Sequence, residues 1–136
     1  MVTIEFQPTP SQNTMKKWHW SKYSAFRDGL CWYIRQHLVS MKVAAKWTSI
    51  QPGTRRGDPD NLNLWAAPPC MSRVEIIRHS PGTLDYGNHV GGCKPLLDAL
   101  VIEGLLWDDA PRWLADFYHQ ETCKKGESKT IVEVSW

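Results

Sequence analysis

Val2, Ile4 and Phe6 alternate with Thr3 and Glu5. That period of two predicts a short half-buried strand. Pro8 and Pro10 end it, and Ser11-Gln12-Asn13 reads as a turn. From Ser21 to Met41 the apolar positions are Tyr23, Phe26, Leu30, Tyr33, Ile34, Leu38 and Met41. Spacings of three and four put them on one face of an amphipathic helix. Residues 45–71 carry no clean period and many turn formers, so they read as a long loop or insertion. Arg73 to His79 predicts a strand, and Pro81-Gly82 a turn. Pro95 to Glu103 predicts a second helix, with Pro95 at its first position and Gly104 just past its end. Trp113–Glu121 and Lys129–Val134, joined through Cys123-Lys124-Lys125-Gly126, predict a final hairpin. The order is β, α, long loop, β, α, β, β. It describes a single α+β domain over residues 1–136, a small mixed or mostly antiparallel sheet with two main helices on one face.

Composition narrows the class. Hydrophobic residues make up 42% and charged residues 22%, ordinary globular usage that argues against a disordered or fibrous chain. No apolar run is long enough for a transmembrane helix, so no membrane partner is expected. The start, MVTIEFQPTP, lacks the basic and apolar regions of a signal peptide. Cys31, Cys70, Cys93 and Cys123 are far apart and form no CxxC, which suggests reduced thiols in a cytoplasmic protein and no zinc site.

The net charge of +2 hides an asymmetry. Residues 1–71 carry nine Lys/Arg against four Asp/Glu; residues 72–136 carry seven against ten. A basic half beside an acidic half suits a polyanion surface next to a carboxylate site. Lys16, Lys17 and Lys22 interleave with Trp18, His19, Trp20 and Tyr23, offering phosphate contacts and base stacking together. Arg55-Arg56 and Lys124-Lys125 are further pairs that could touch a backbone.

Candidate chemistry lies between Leu84 and Asp109. Asp85 follows a strand and precedes a helix, and Asp108-Asp109 follow that helix. A strand–helix–strand unit can fold these ends together. Gathered carboxylates need a cation, and hard oxygen donors suit Mg²⁺ or Mn²⁺ acting on phosphate esters. Lys94 would bind phosphate or developing charge. The plainer alternative makes Asp85 a helix or turn cap, Asp108-Asp109 an exposed turn, and Lys94 the i,i+4 partner of Asp98.

This segment resembles the core of the RusA-type Holliday-junction resolvases, small endonucleases common in phages and prophages. Their pattern is Asp-x-Asp-Asn, a helix with Lys and Asp-Ala-Leu, then Gly and Asp-Asp. Asp85 and Asn88 match the first motif, Lys94 precedes Asp98-Ala99-Leu100 by the family's spacing, and Gly104 leads to Asp108-Asp109. Arg78 matches a basic position before the motif, and the opening strand and Pro-Ser-Asn turn also correspond. The resemblance implies a homodimer that binds branched DNA and nicks it with Mg²⁺. It implies Asp85, Lys94 and Asp109 as catalytic residues and Asp85, Asp109 and Asp108 as the metal set. Lys16, Lys17, Arg55, Arg56, Arg78 and Asn88 would contact DNA.

One departure matters. The second Asp of the motif is Gly87 here, so one ligand is missing. Asp98, Asp108, Glu75 or His89 could compensate, His89 favouring Mn²⁺. Asp58-Pro59-Asp60-Asn61-Leu62 spells the motif outright, but it precedes the wrong elements and reads as a turn, or as a loop that lends a carboxylate. Three functional readings follow: an active junction endonuclease, a weakened or inactive relative that still binds branched DNA, and an unrelated small α+β interaction module.

Overall fold

The computed structural model describes residues 1–43 and 71–136. Arg55, Arg56 and the Asp58–Leu62 motif lie outside the described residues, as does nearly all of the predicted loop. The elements are β1 (Val2–Phe6), α1 (Gln12–Met15), α2 (Trp20–Met41), β2 (Ser72–Ser80), α3 (Tyr86–Gly92), α4 (Lys94–Ile102), β3 (Leu114–Thr122) and β4 (Lys129–Ser135). They build the expected α+β fold. The sheet is mixed, in the order β1-β4-β2-β3.

Register explains the core. Val2 pairs with Val134, which pairs with Val74; Ile4 pairs with Val132, which pairs with Ile76. These rows are buried, whereas Thr3 and Glu5 point away. Cys31, Ile34 and Leu38 of α2 and Leu96, Leu97, Ala99 and Leu100 of α4 complete the same cluster. Each large apolar side chain so buried contributes about 1.5–3 kcal/mol. Both main helices therefore cover one face of the sheet. They are also clamped together, because the buried carboxylate of Glu103 accepts two hydrogen bonds from Arg35, at 2.7 and 3.1 Å. Gly104, at φ 79°, turns the chain out of α4 into Leu105 and Leu106, which are buried beneath it. No helix among the described residues is long and apolar enough to cross a membrane.

Four local expectations need correction. The last two strands do not form a hairpin: β4 runs antiparallel between β1 and β2, and β3 lies parallel to β2 on its other side. The alternating Thr130, Val132 and Val134 are buried, as suits an interior strand, while β3 buries only Leu114 and takes the edge. The Ser11–Asn13 turn is the start of α1, with the Ser11 side chain accepting from the Thr14 N–H. α3 was not expected, since three of its seven residues are glycine. Finally, Tyr33 and Met41 are 42% and 60% exposed; the inner line of α2 runs through Cys31, Ile34 and Leu38 instead.

Candidate functional site

The β2–α3–α4–β3 crossover carries the candidate residues. Asp85 is the N-cap of α3. Its Oδ1 accepts the Asn88 N–H at 3.0 Å, and its Oδ2 accepts the Asn88 side-chain amide. A carboxylate there satisfies donors that the helix leaves free. These bonds, backbone before side chain, hold the Asp85 carboxyl below its usual range, so it is an anion near neutral pH. Asn88 Oδ1 in turn accepts the Asn13 N–H at 3.2 Å, which ties α1 to α3.

Glycine permits that contact. A Cβ at Gly92 would sit 1.8 Å from the Pro10 carbonyl oxygen, and one at Gly91 would meet the Gln12 side chain. Only a bare Cα lets α3 lie against the Pro10–Ser11 backbone. Gly87 is different. A Cβ there meets only Asp85 Oδ1, at an unstrained 3.6 Å. Space for a Cβ is therefore open at Gly87, unlike at Gly91 and Gly92.

Lys94 begins α4. Its Nζ donates to Asp98 Oδ1 at 2.7 Å and to Asp109 Oδ2. Burial alone would lower its pKa, but the two carboxylates outweigh burial and raise it. Asp109 shows the converse: burial pushes its pKa up, the Lys94 ammonium pulls it down further, and the net is a lowered value. Asp108 Oδ1 accepts the Asp109 N–H at 2.8 Å, shaping the turn that presents Asp109. Tyr23 of α2 completes the cluster by donating its hydroxyl to Asp98 Oδ2 at 2.8 Å. Burial, then Asp98, raises the Tyr23 pKa, so the hydroxyl stays a donor.

The candidates thus fall into two hydrogen-bonded groups, Asp85–Asn88–Asn13 and Tyr23–Asp98–Lys94–Asp109. The plainer sequence alternative is partly present in both: Asp85 caps a helix and Lys94 pairs with Asp98 four residues on. Its third element is incomplete, because Asp109 also reaches Lys94. Sequence reasoning placed Tyr23 on an apolar helix face and in the basic–aromatic cluster, but not at the candidate site. Its signal was the hydroxyl, which needs a partner when half-buried. Nothing in the sequence marked the Asn13 link.

The other candidates are placed as follows. Lys16 and Lys17 are exposed at the α1–α2 corner. Arg78 donates to the carbonyls of Thr9 and Gly82, at 3.3 and 3.4 Å, and so braces the turn after β1. Glu75 pairs with Arg73. His89 is buried, not at the surface, with Nε2 3.1 Å from the His119 carbonyl. Burial lowers its pKa against the pull of that carbonyl, which keeps the ring neutral.

Asp85 and Asp109 are hard oxygen donors held as anions, which fits Mg²⁺ in kind. Among the described residues no three His, Cys, Asp or Glu side chains gather as a metal set. Compared with models of protein families and with curated proteins, the chain matches no family and no curated protein.

Proposed function

We propose that this protein is a RusA-type, structure-selective DNA endonuclease. It binds four-way junctions as a homodimer and nicks them with Mg²⁺, at a rate held down by Gly87. DNA recombination and repair in the cytoplasm, in a chain of prophage origin, go with that role. One observation carries the reading. A single crossover unit presents an ionised Asp85 beside an unfilled Gly87 Cβ position, and then the Lys94–Asp109 pair.

Asp85 and Asp109 would hold the cation, which supplies charge stabilisation on the phosphoryl oxygens when bound. Lys94 supplies the positive charge for the scissile phosphate. Asp98, fixed by Tyr23, keeps the Lys94 ammonium beside Asp109. Asn88 holds Asp85 in one rotamer and links it to α1. Asp108 shapes the turn.

A second reading keeps the DNA surface and loses the chemistry, giving a branched-DNA-binding protein without nicking. It is favoured by the Lys94 ammonium, which already pairs with both Asp98 and Asp109 and so competes for them with a cation. The two separate on a labelled four-way junction at low salt, with Mg²⁺ and Mn²⁺ in parallel reactions. Paired nicks that vanish in both Asp85→Asn and Asp109→Asn establish the nuclease. Retarded junction without nicks establishes the binder. No binding and no nicking sinks both.

A further inference from the structure

The segment from Asn13 to Tyr23 is fastened to the candidate site at both ends. At one end the Asn13 N–H reaches Asn88, which holds Asp85. At the other the Tyr23 hydroxyl reaches Asp98, which holds Lys94 beside Asp109. Between these anchors lie Lys16, Lys17 and Lys22 and no carboxylate.

The aromatic residues of this corner divide in two. Trp18 is packed, edge-on to Phe26 at 5.3 Å and with Lys22 Nζ 4.9 Å from its ring centre. Trp20 is 74% exposed at the first position of α2. His19, just before it, caps α2 by accepting the Ser21 N–H and lies 5.4 Å from the Trp20 ring.

An exposed indole normally wastes apolar surface, and a single one needs no explanation. This one sits on a capped helix start, on a segment whose Lys16, Lys17 and Lys22 make no ion pair among the described residues and which is pinned to both halves of the site. A flat aromatic face flanked by cations takes a nucleobase with its neighbouring phosphates. A base stacked inside a duplex cannot use it. An unpaired base can.

We infer that Trp20 is a stacking platform for an unpaired nucleobase, with Lys16 and Lys17 on the adjoining phosphates. It would select DNA whose strands come apart next to the site. The inference rests on the DNA-directed reading above and adds the structural feature of DNA that is recognised.

The probe is a short single-stranded oligonucleotide carrying one 2-aminopurine, whose fluorescence reports stacking, followed by anisotropy titration. Trp20→Ala should weaken binding by about 5- to 150-fold, from base–aromatic stacking of ~1–3 kcal/mol, and should remove the quenching. Trp20→Phe should restore most of both. Trp32→Ala is the control: that indole is also exposed, at 62%, but stands about three turns further along α2. It should leave binding unchanged. Circular dichroism melts confirm that each variant is folded.

If Trp20→Ala binds and quenches like the parent, the inference is overturned. It is also overturned, with the DNA-directed reading intact, if the parent binds a four-way junction but not the single strand. If the parent binds neither, the DNA-directed reading fails, and this inference with it.

Discussion

Replacing the glycines of α3 one at a time with alanine should give opposite results within one short helix. Alanine is favoured over glycine inside a helix by about 0.5–1 kcal/mol. At Gly87 the new methyl meets only Asp85 Oδ1 at 3.6 Å, so the propensity gain is kept. At Gly92 the same methyl lands 1.8 Å from the Pro10 carbonyl oxygen. The obstacle is backbone, not the end of a flexible side chain, and it must retreat by more than an ångström. Overpacking of this kind costs about 1–3 kcal/mol or more, which exceeds the propensity gain. Gly87→Ala should therefore raise stability by ~0.5–1 kcal/mol and Gly92→Ala lower it by ~1–2 kcal/mol. At this chain length a kilocalorie moves the Tm by roughly 4 °C, so thermal melts followed by far-UV circular dichroism resolve the difference. Gly91→Ala should fall between, because the Gln12 side chain it meets can swing away. Equal melting temperatures for Gly87→Ala and Gly92→Ala would refute the close contact between α3 and the Pro10–Ser11 backbone. With it would go the account of how Asn13 comes to hold Asn88.

Further outcomes follow from the same contacts. Tyr23→Phe removes one hydrogen bond to the Asp98 carboxylate and should cost about 1–2 kcal/mol in urea unfolding; an unchanged midpoint would mean that the bond is not made in solution. Asn88→Ala takes away the side-chain amide that helps keep Asp85 ionised, so the Asp85 pKa, read by carboxyl NMR titration, should rise part of the way toward its ordinary value; no movement would mean that the side-chain bond is not made. His89 has a folded pKa depressed by burial. The unfolded chain therefore takes up its proton first, and stability present above about pH 6.5 is lost as pH falls through the lower folded value. Melts between pH 8 and pH 5 should show that decline, and His89→Gln should flatten it.

Much of the fold was legible because simple periods decide it. The Val2–Ile4–Phe6 alternation reappears as an inward-facing row against Val134 and Val132. The 21–41 spacing reappears as α2, and α4 starts at Lys94, one residue before Pro95, and ends just short of Gly104. What failed was decided at longer range. Whether two successive strands pair depends on what inserts between them, and β2 inserts between β3 and β4. Three glycines hid α3, because its stability comes from the Asp85 cap and the contact with Pro10, not from propensity. Tyr33 and Met41 fit the helical spacing but lie off the stripe that the sheet covers. At the site, the pairing of Lys94 with Asp98 was readable as an i,i+4 step. Its pairing with Asp109, and the reach of Tyr23 from another helix, needed the folded chain.

The central claim is most directly tested by comparing the parent and Gly87→Asp on one labelled four-way junction across a Mg²⁺ titration, beside a metal-free gel shift. A Cβ at position 87 meets only Asp85 Oδ1, at 3.6 Å. Both proteins should retard the junction, and the parent should nick slowly. Gly87→Asp should nick faster and at lower Mg²⁺. Failure of both proteins to bind the junction, or nicking by the parent that Gly87→Asp abolishes, would contradict that claim.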